Sequence, residues 1–415
     1  MALMLNEQGY SGLKEQSGYL YEECLNTLRG KNGKRAMHEL VTNDPVASAS
    51  LWTLRAMLKQ ARWAMQPNPS GQTTEEDLQL GDAIQADMDI PLVQSIDEMA
   101  SGFTYGFAPM EIMLKKVSNG IGISRFELRG QETIDRWDID DKGNIKGFWQ
   151  LTDQGQSAYI PRNKFILFRT TVEKNNPEGL SLFRGAYTSY YRKKGLMTIL
   201  SIASERGAMG YPVARIPGEY LDDEASSEKR ATGQSFQTLV QSMKIDSEDG
   251  VTIPSDKDEN GKPLFDIEFI STPRVDFEGL LKVISYLDNS MAKSISTQFI
   301  QLGGASGGSQ AIIAEQTRMF SRAIEGYLKN IALELNTVLQ RVWVLNNRPL
   351  ATCPVWTPSI PLKQDIRALG SLINILGKSV NLNFGEESGT DILNEVLHQA
   401  GLPQSDSLYI NSSTP

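Results

Sequence analysis

The chain has 415 residues, of which 40% are hydrophobic and 22% charged, an ordinary globular composition with material for two or three domains. Its net charge of -9 argues against a protein that wraps DNA tightly, because phosphate neutralisation needs a cationic surface; looser handling of DNA stays open. Two cysteines, Cys24 and Cys353, exclude a disulfide framework and fit a reducing compartment.

The first ten residues show no basic region followed by a long apolar run, so no signal peptide is expected. No stretch approaches the roughly 20 apolar residues of a membrane span, so a soluble, intracellular protein is expected at synthesis. Residues 1–35 are polar and dotted with Gly9, Gly12, Gly18, Gly30 and Gly33, which reads as an arm or loosely packed lead-in. Asn43 or Asp44 caps a helix that has Pro45 at its first position and runs toward Pro67. A second helix is predicted over 74–88, with Glu75, Glu76 and Asp77 suiting its first turn, and a third over 92–103.

The hydrophobic period changes at Phe107. Residues 110–115 and 121–128 read as strands around the turn Ser118-Asn119-Gly120. Residues 137–139 and 145–150 read as a second hairpin, and 165–168 as a short buried strand. A helix is predicted over 181–210, with Tyr187, Tyr190 and Tyr191 beside Arg192, Lys193 and Lys194. That cluster fits an amphipathic face at a protein contact better than a stacking platform for nucleic acid.

Residues 211–274 form an acidic insert with a strand over 213–216, a helix over 226–243, and strands near Val251 and over 265–270. Asp256-Lys257-Asp258-Glu259-Asn260-Gly261 matches the first half of a calcium loop. Ile267 stands where the bidentate Glu belongs and Pro263 intrudes, so a polar hairpin tip is expected.

The stretch 275–345 organises the chain as helix, loop and longer helix. Leu280, Leu281, Ile284, Leu287, Met291, Ile295 and Phe299 share one helical face. Gly303, Gly304, Gly307 and Gly308 then break the helix. Periodicity resumes at Ile312 and Ile313 and continues through Met319, Phe320, Ile324, Leu328, Ile331, Leu335, Val338, Leu339 and Val342. Beyond Leu345 come a proline-rich extended stretch and two further helices, over 364–377 and 390–401.

Gly304-Ala305-Ser306-Gly307-Gly308 matches a hydrolase nucleophile elbow. That motif needs a preceding strand and a histidine in reach, whereas a helix is expected here and only His38 and His398 exist. No Gly-Lys-Ser/Thr follows these glycines, so they are not a phosphate-binding loop. The His and Cys positions have no metal-ligand spacing. No cofactor, metal or catalytic residue is expected, and the chain reads as not an enzyme.

Three passages together resemble the portal proteins of tailed bacteriophages. Phe103-Thr104-Tyr105-Gly106-Phe107-Ala108-Pro109-Met110-Glu111-Ile112 is similar to that family's GFSxxEI turn. Phe165-Ile166-Leu167-Phe168-Arg169, followed by Asn176-Pro177-Glu178-Gly179-Leu180-Ser181-Leu182-Phe183-Arg184, resembles its NPyGxSLlR passage. Gln301 to Ser309, with Ala314-Glu315-Gln316-Thr317 and Phe320, resembles its loop-plus-helix segment. The resemblance covers 45–345 in order. Leu180 stands where the family often has Arg, and the region after 345 matches poorly.

The resemblance implies an α+β portal fold with wing, stem, clip and small crown. Its parts would be an N-terminal arm (1–44), wing (45–180), first stem helix (181–210), clip (211–274) and second stem helix (275–300). A tunnel loop (301–311), a long helix with wing return (312–363), and crown and tail (364–415) would follow. It further implies a homo-oligomeric ring, typically of twelve subunits, at the capsid portal vertex of the virion, assembled in the host bacterial cytoplasm. Double-stranded DNA would pass through the ring during packaging and ejection.

Expected partners are the terminase large subunit, a head-completion or adaptor protein, and capsid and scaffold proteins, with no membrane. The expected channel lining is Lys282, Lys293, Gln301, Gly303, Gly304, Ser306, Gly307, Gly308, Ser309 and Gln310. The expected partner-docking acids of the clip are Asp222, Asp223, Glu224, Asp246, Glu248 and Asp249. Two other readings are a different structural head or connector protein, and a serine hydrolase using Ser306.

Overall fold

The computed structural model describes residues 9–69, 71–117, 120–222, 224–242, 252–270, 276–297 and 310–359. The chain divides into two compact units, one up to Tyr187 and again from Ala292, the other Thr188–Met291.

The first unit opens with a hairpin, β1 (Glu15–Gln16) and β2 (Tyr19–Leu20), whose turn residues Ser17 and Gly18 both take positive φ. Two helices follow, α1 (Gly30–Asn43) and α2 (Pro45–Lys59). Asp44 caps α2 by accepting from the Val46 and Ala47 amides at 2.9 and 3.1 Å, with Pro45 at the first helical position. The N-terminal residues differ from the loose lead-in expected. Leu13 and Leu28 are buried, and the Trp137 amide donates to Gly18 carbonyl at 2.9 Å. Leu13 and Leu28 thus anchor the stretch, while Tyr10, Tyr19, Tyr21 and Leu25 stay exposed.

α2 ends short of Pro67 because a strand intervenes, β3 (Arg62–Gln66). Next come α3 (Glu75–Ala86), closed by a capping box between Thr74 and Asp77, then α4 (Leu92–Met99) and α5 (Ser101–Tyr105). The single third helix expected is thus two, parted at Ala100.

The sheets are β5-β4-β9 and β6-β7-β8, all antiparallel. Their strands are β4 (Phe107–Val117), β5 (Gly120–Leu128), β6 (Ile134–Ile139), β7 (Ile145–Leu151), β8 (Ser157–Pro161) and β9 (Phe165–Arg169). Phe107, Phe165 and Leu167 of one sheet join Ile134, Trp137, Phe148 and Ile160 of the other in one core. Its rings meet edge to face or tilted, 4.8–5.6 Å apart.

The long helix α9 (Gln310–Leu345) is the unit's spine. Phe320, Ile324, Leu328, Ile331, Leu335, Val338, Leu339 and Val342 are buried, whereas Met319 is 64% exposed and lies off that face. Three polar side chains bolt the helix to its neighbours. Glu334 accepts two bonds from Arg162, each 3.0 Å, and the Leu167 amide at 3.2 Å. Asn336 accepts from the Trp356 amide at 2.7 Å and donates to its carbonyl at 3.1 Å. Asn346, one residue past the helix, does the same for Ile121, both bonds at 2.8 Å. Each amide side chain thus serves a strand backbone as a neighbouring strand would. Trp356 belongs to β12 (Val355–Ser359), which pairs antiparallel with β3.

The second unit contains β10 (Tyr211–Arg215), α7 (Ser227–Ser242), β11 (Asp266–Ile270) and most of α6 (Tyr187–Met209) and α8 (Phe277–Ser294). The predicted helix 181–210 begins only at Tyr187, because Phe183 is buried and Arg184 is held by a side chain of the N-terminal segment. On α8 Ile284, Leu287 and Met291 are buried as the spacing predicts, and so is Ile295 just beyond. Leu281 is 54% exposed, off that face.

Candidate conduit and docking elements

Two widely separated passages of the first unit meet at a pair of glycines. Gly106 ends α5 at φ 96°, and a Cβ there would lie 2.5 Å from the Glu178 carbonyl oxygen. Gly179 sits at φ 56°, and its Cβ would lie 2.5 Å from the Gly106 carbonyl oxygen. The approach is backbone to backbone, so neither position has room for a side chain. The turn before Gly179 is built locally: Asn176 accepts from the Glu178 amide at 2.9 Å and donates to Gly179 carbonyl at 3.3 Å. Arg169, at the end of β9, donates to the Asn175 side chain at 3.0 Å and the Asn176 carbonyl at 3.3 Å.

The N-terminal segment clasps this turn with charge. Arg184 makes a two-pronged pair with Glu23 at 2.6 and 2.8 Å, and Lys174 meets Glu22 at 3.0 Å. Buried Lys34 pairs with Glu178 at 2.9 Å, and Trp137 donates to the same carboxylate at 3.2 Å. Hydrogen bonding from Arg184 holds the Glu23 carboxyl down at about 2. Glu22, Glu23, Lys34, Lys174, Glu178 and Arg184 line a cleft of 380 Å³.

In the second unit β10 and β11 form a two-stranded antiparallel ladder. α7 packs beside it through Phe236 stacked on Phe265 at 5.4 Å, with Tyr220 edge-on to Phe265 at 5.3 Å. Gly233 lets α7 pass the Tyr220 carbonyl, where a Cβ would clash at 2.2 Å. Lys193 of α6 and Asp288 of α8 form an ion pair at 2.5 Å, with the lysine buried.

The family model described as the portal protein of Mu bacteriophage matches residues 35–389, most of the chain. The chain belongs to this phage portal family. Among solved structures, the neck of an empty gene transfer agent (GTA) particle computed with C6 symmetry is 13% identical, with a TM-score of 0.53 over 89% of this chain and 95% of that one. The virion of the native particle gives 12% and 0.53, over 89% of this chain and 93% of that one. The neck of the native particle with C12 symmetry gives 11% and 0.52, over 95% and 97%. At such identities the likeness is one of fold. The family match runs past both ends of the 45–345 resemblance, into the region after 345 that matches poorly by motif.

Gly106 lies in the first portal-like passage, and Gly179 and Arg169 lie in the second. Leu180, the position that departs from the family pattern, is half exposed, so its side chain disturbs nothing; its carbonyl accepts from the Thr170 hydroxyl.

Of the expected channel residues of this portal chain, Lys282 and Lys293 are exposed on α8, eleven positions apart. Lys282 pairs with Glu278 at 2.7 Å. Gln310 begins α9, and Gln301, Gly303, Gly304, Ser306, Gly307, Gly308 and Ser309 lie outside the described residues. Of the expected docking acids, Asp222 and Glu224 are exposed, with Asp222 accepting from the Glu224 amide at 3.2 Å. Asp223, Asp246, Glu248 and Asp249 lie outside the described residues, as do His398 and the predicted helices 364–377 and 390–401.

The tyrosine and basic cluster of α6 divides: Tyr190 and Lys193 are buried, while Tyr191 is exposed. Residues 256–263 form a hairpin tip, where Asp258 accepts from the Asn260 and Lys262 amides at 2.9 and 2.8 Å and Lys257 bridges Pro263. Among the described residues no group of His, Cys, Asp and Glu could hold a metal ion, and no helix is long and apolar enough to cross a membrane. Sequence reasoning missed Glu23, Lys34 and Lys174, whose charges matter only through partners up to 161 positions away.

Proposed function

We propose that this chain is one subunit of a homo-oligomeric ring at the unique vertex of a phage-like capsid, with double-stranded DNA passing along its axis in packaging and ejection. Membership of the portal family supports the role, and the C6 and C12 symmetries of the similar necks support the ring. The observation that carries the assembly is the apolar surface of α6 and α8. Tyr191, Met197, Ile199 and Ile202 on one, and Leu281, Val283 and Tyr286 on the other, are exposed in the single chain. Side chains of this kind need cover, which a neighbouring subunit supplies.

In this reading the second unit supplies stem and clip, and the acids Asp222, Asp223, Glu224, Asp246, Glu248 and Asp249 receive the terminase and later the head-completion protein. Lys282, Lys293, Gln301, Ser306, Ser309 and Gln310 face the channel. The glycines at 303–308 let neighbouring loops differ in conformation, as a mismatch between ring symmetry and helical DNA favours. An acidic chain does not trap DNA by releasing counterions, so the duplex slides.

Electron microscopy of the purified chain tests the reading. Closed rings are expected, with an axial hole of about 20 Å or more, wide enough for a duplex with grooves of about 12 and 6 Å. Compact dimers, or rings without a hole, would favour a different connector role. Shortening 303–309 should leave rings intact while lowering the yield of DNA-filled heads.

A further inference from the structure

An open apolar groove of 810 Å³ lies beside α9, between it and β4. Ile112 and Leu114 of β4, Val338, Val342 and Leu345 of α9, and Leu350 line it. Leu114, Val344, Leu345 and Leu350 are each 43–53% exposed. All lie in the first unit.

We propose that this groove is the seat of the chain's own segment 364–377. Three observations point to that occupant. First, its chemistry fits. Ile366, Leu369, Leu372, Ile373 and Leu376 recur at helical spacing on one face, while Gln364, Asp365, Arg367 and Asn374 fall elsewhere. A helix of about 14 residues with Gly370 in its middle is marginal alone in water and needs an apolar surface to lie on.

Second, the dimensions fit. The apolar positions 366–376 span about 15 Å at ~1.5 Å per residue, and the α9 wall from Thr337 to Leu345 spans about 12 Å. Third, the tether fits. The chain leaves β12 at Ser359, and Asn336 holds Trp356 of that strand one residue from Thr337 of the groove. Five residues reach about 17 Å when extended, so the segment arrives at the groove with a high effective concentration. The proposal is independent of the ring.

Limited trypsin digestion of the full-length chain, followed at Arg367, tests it. The variant carrying Leu114→Glu and Val344→Glu replaces exposed side chains and keeps the fold, checked by circular dichroism; Leu350→Glu serves in its place if it does not. Cleavage at Arg367 is expected to rise at least tenfold in the groove variant and to stay at the wild-type rate in Val172→Glu, an exposed apolar site elsewhere. Equal cleavage in all three would overturn the proposal. So would protection of Arg367 that disappears on dilution, since the occupant would then come from another copy.

Discussion

Gly179→Ala is the sharpest probe of the hub that joins the portal motifs. Two terms add at this position. A non-glycine residue at φ 56° costs about 1–2 kcal/mol from the left-handed backbone alone. The new Cβ would also stand 2.5 Å from the Gly106 oxygen and 3.0 Å from the Thr171 oxygen. Both are backbone atoms with no side-chain freedom to yield, and such overpacking costs about 1–3 kcal/mol more. The stiffer unfolded chain returns about 0.4–1 kcal/mol, leaving a net loss of about 2–4 kcal/mol.

Gly155→Ala is the control. Gly155 has φ 75° and nothing within 4 Å of its Cβ position, so it carries the backbone term without the contact. The assay is urea unfolding followed by tryptophan fluorescence. All six tryptophans lie in the first unit, so the signal reports it alone. A fall in midpoint for Gly179→Ala well beyond that for Gly155→Ala is expected. Equal midpoints would mean that the glycine contact is not a fixed feature of the fold.

Two further outcomes follow from the clamps and the clasp. Asn336→Ala strips partners from the Trp356 amide and carbonyl at about 1–3 kcal/mol each, and faster hydrogen exchange at Trp356 should report it. Glu23 has its folded pKa lowered from 4.5 to about 2, so its contribution is present above about pH 4.5 and is lost as pH falls toward 2. In Glu23→Gln the first unit should therefore lose less stability than wild type between pH 5 and 3, a difference that vanishes near neutrality when the variants' pH slopes are compared.

The elements that carry strong local signals were legible in the sequence. Asp44-Pro45 announced α2, Thr74 with its acids announced α3, and the spacing from Phe320 to Val342 announced the buried face of α9. What stayed hidden depends on distant partners. β8 reads Ser-Ala-Tyr-Ile-Pro and β12 carries Pro358, both edge-strand compositions that become strands only through the ladders they join. Glu334 and Asn336 look like solvent-facing positions on an amphipathic helix, and nothing local marks them as clamps. The portal-like motifs could be read one by one, but their meeting at Gly106 and Gly179 could not, since it joins residues 73 positions apart. Asp44 and Gly18 show the same limit: the cap is local and was foreseen, the docking of Gly18 on Trp137 is not and was not.

The clamps on α9 have a mechanical consequence. Glu334, Asn336 and Asn346 engage three different strands, β9, β12 and β5, within thirteen residues of one rod. Sliding the rod along its axis by a single turn, about 5.4 Å, would pull all three out of register together. α9 is therefore indexed like a keyed shaft. A push at its leading end, at Gln310, reaches the sheets as tilt or twist rather than as a stroke along the axis.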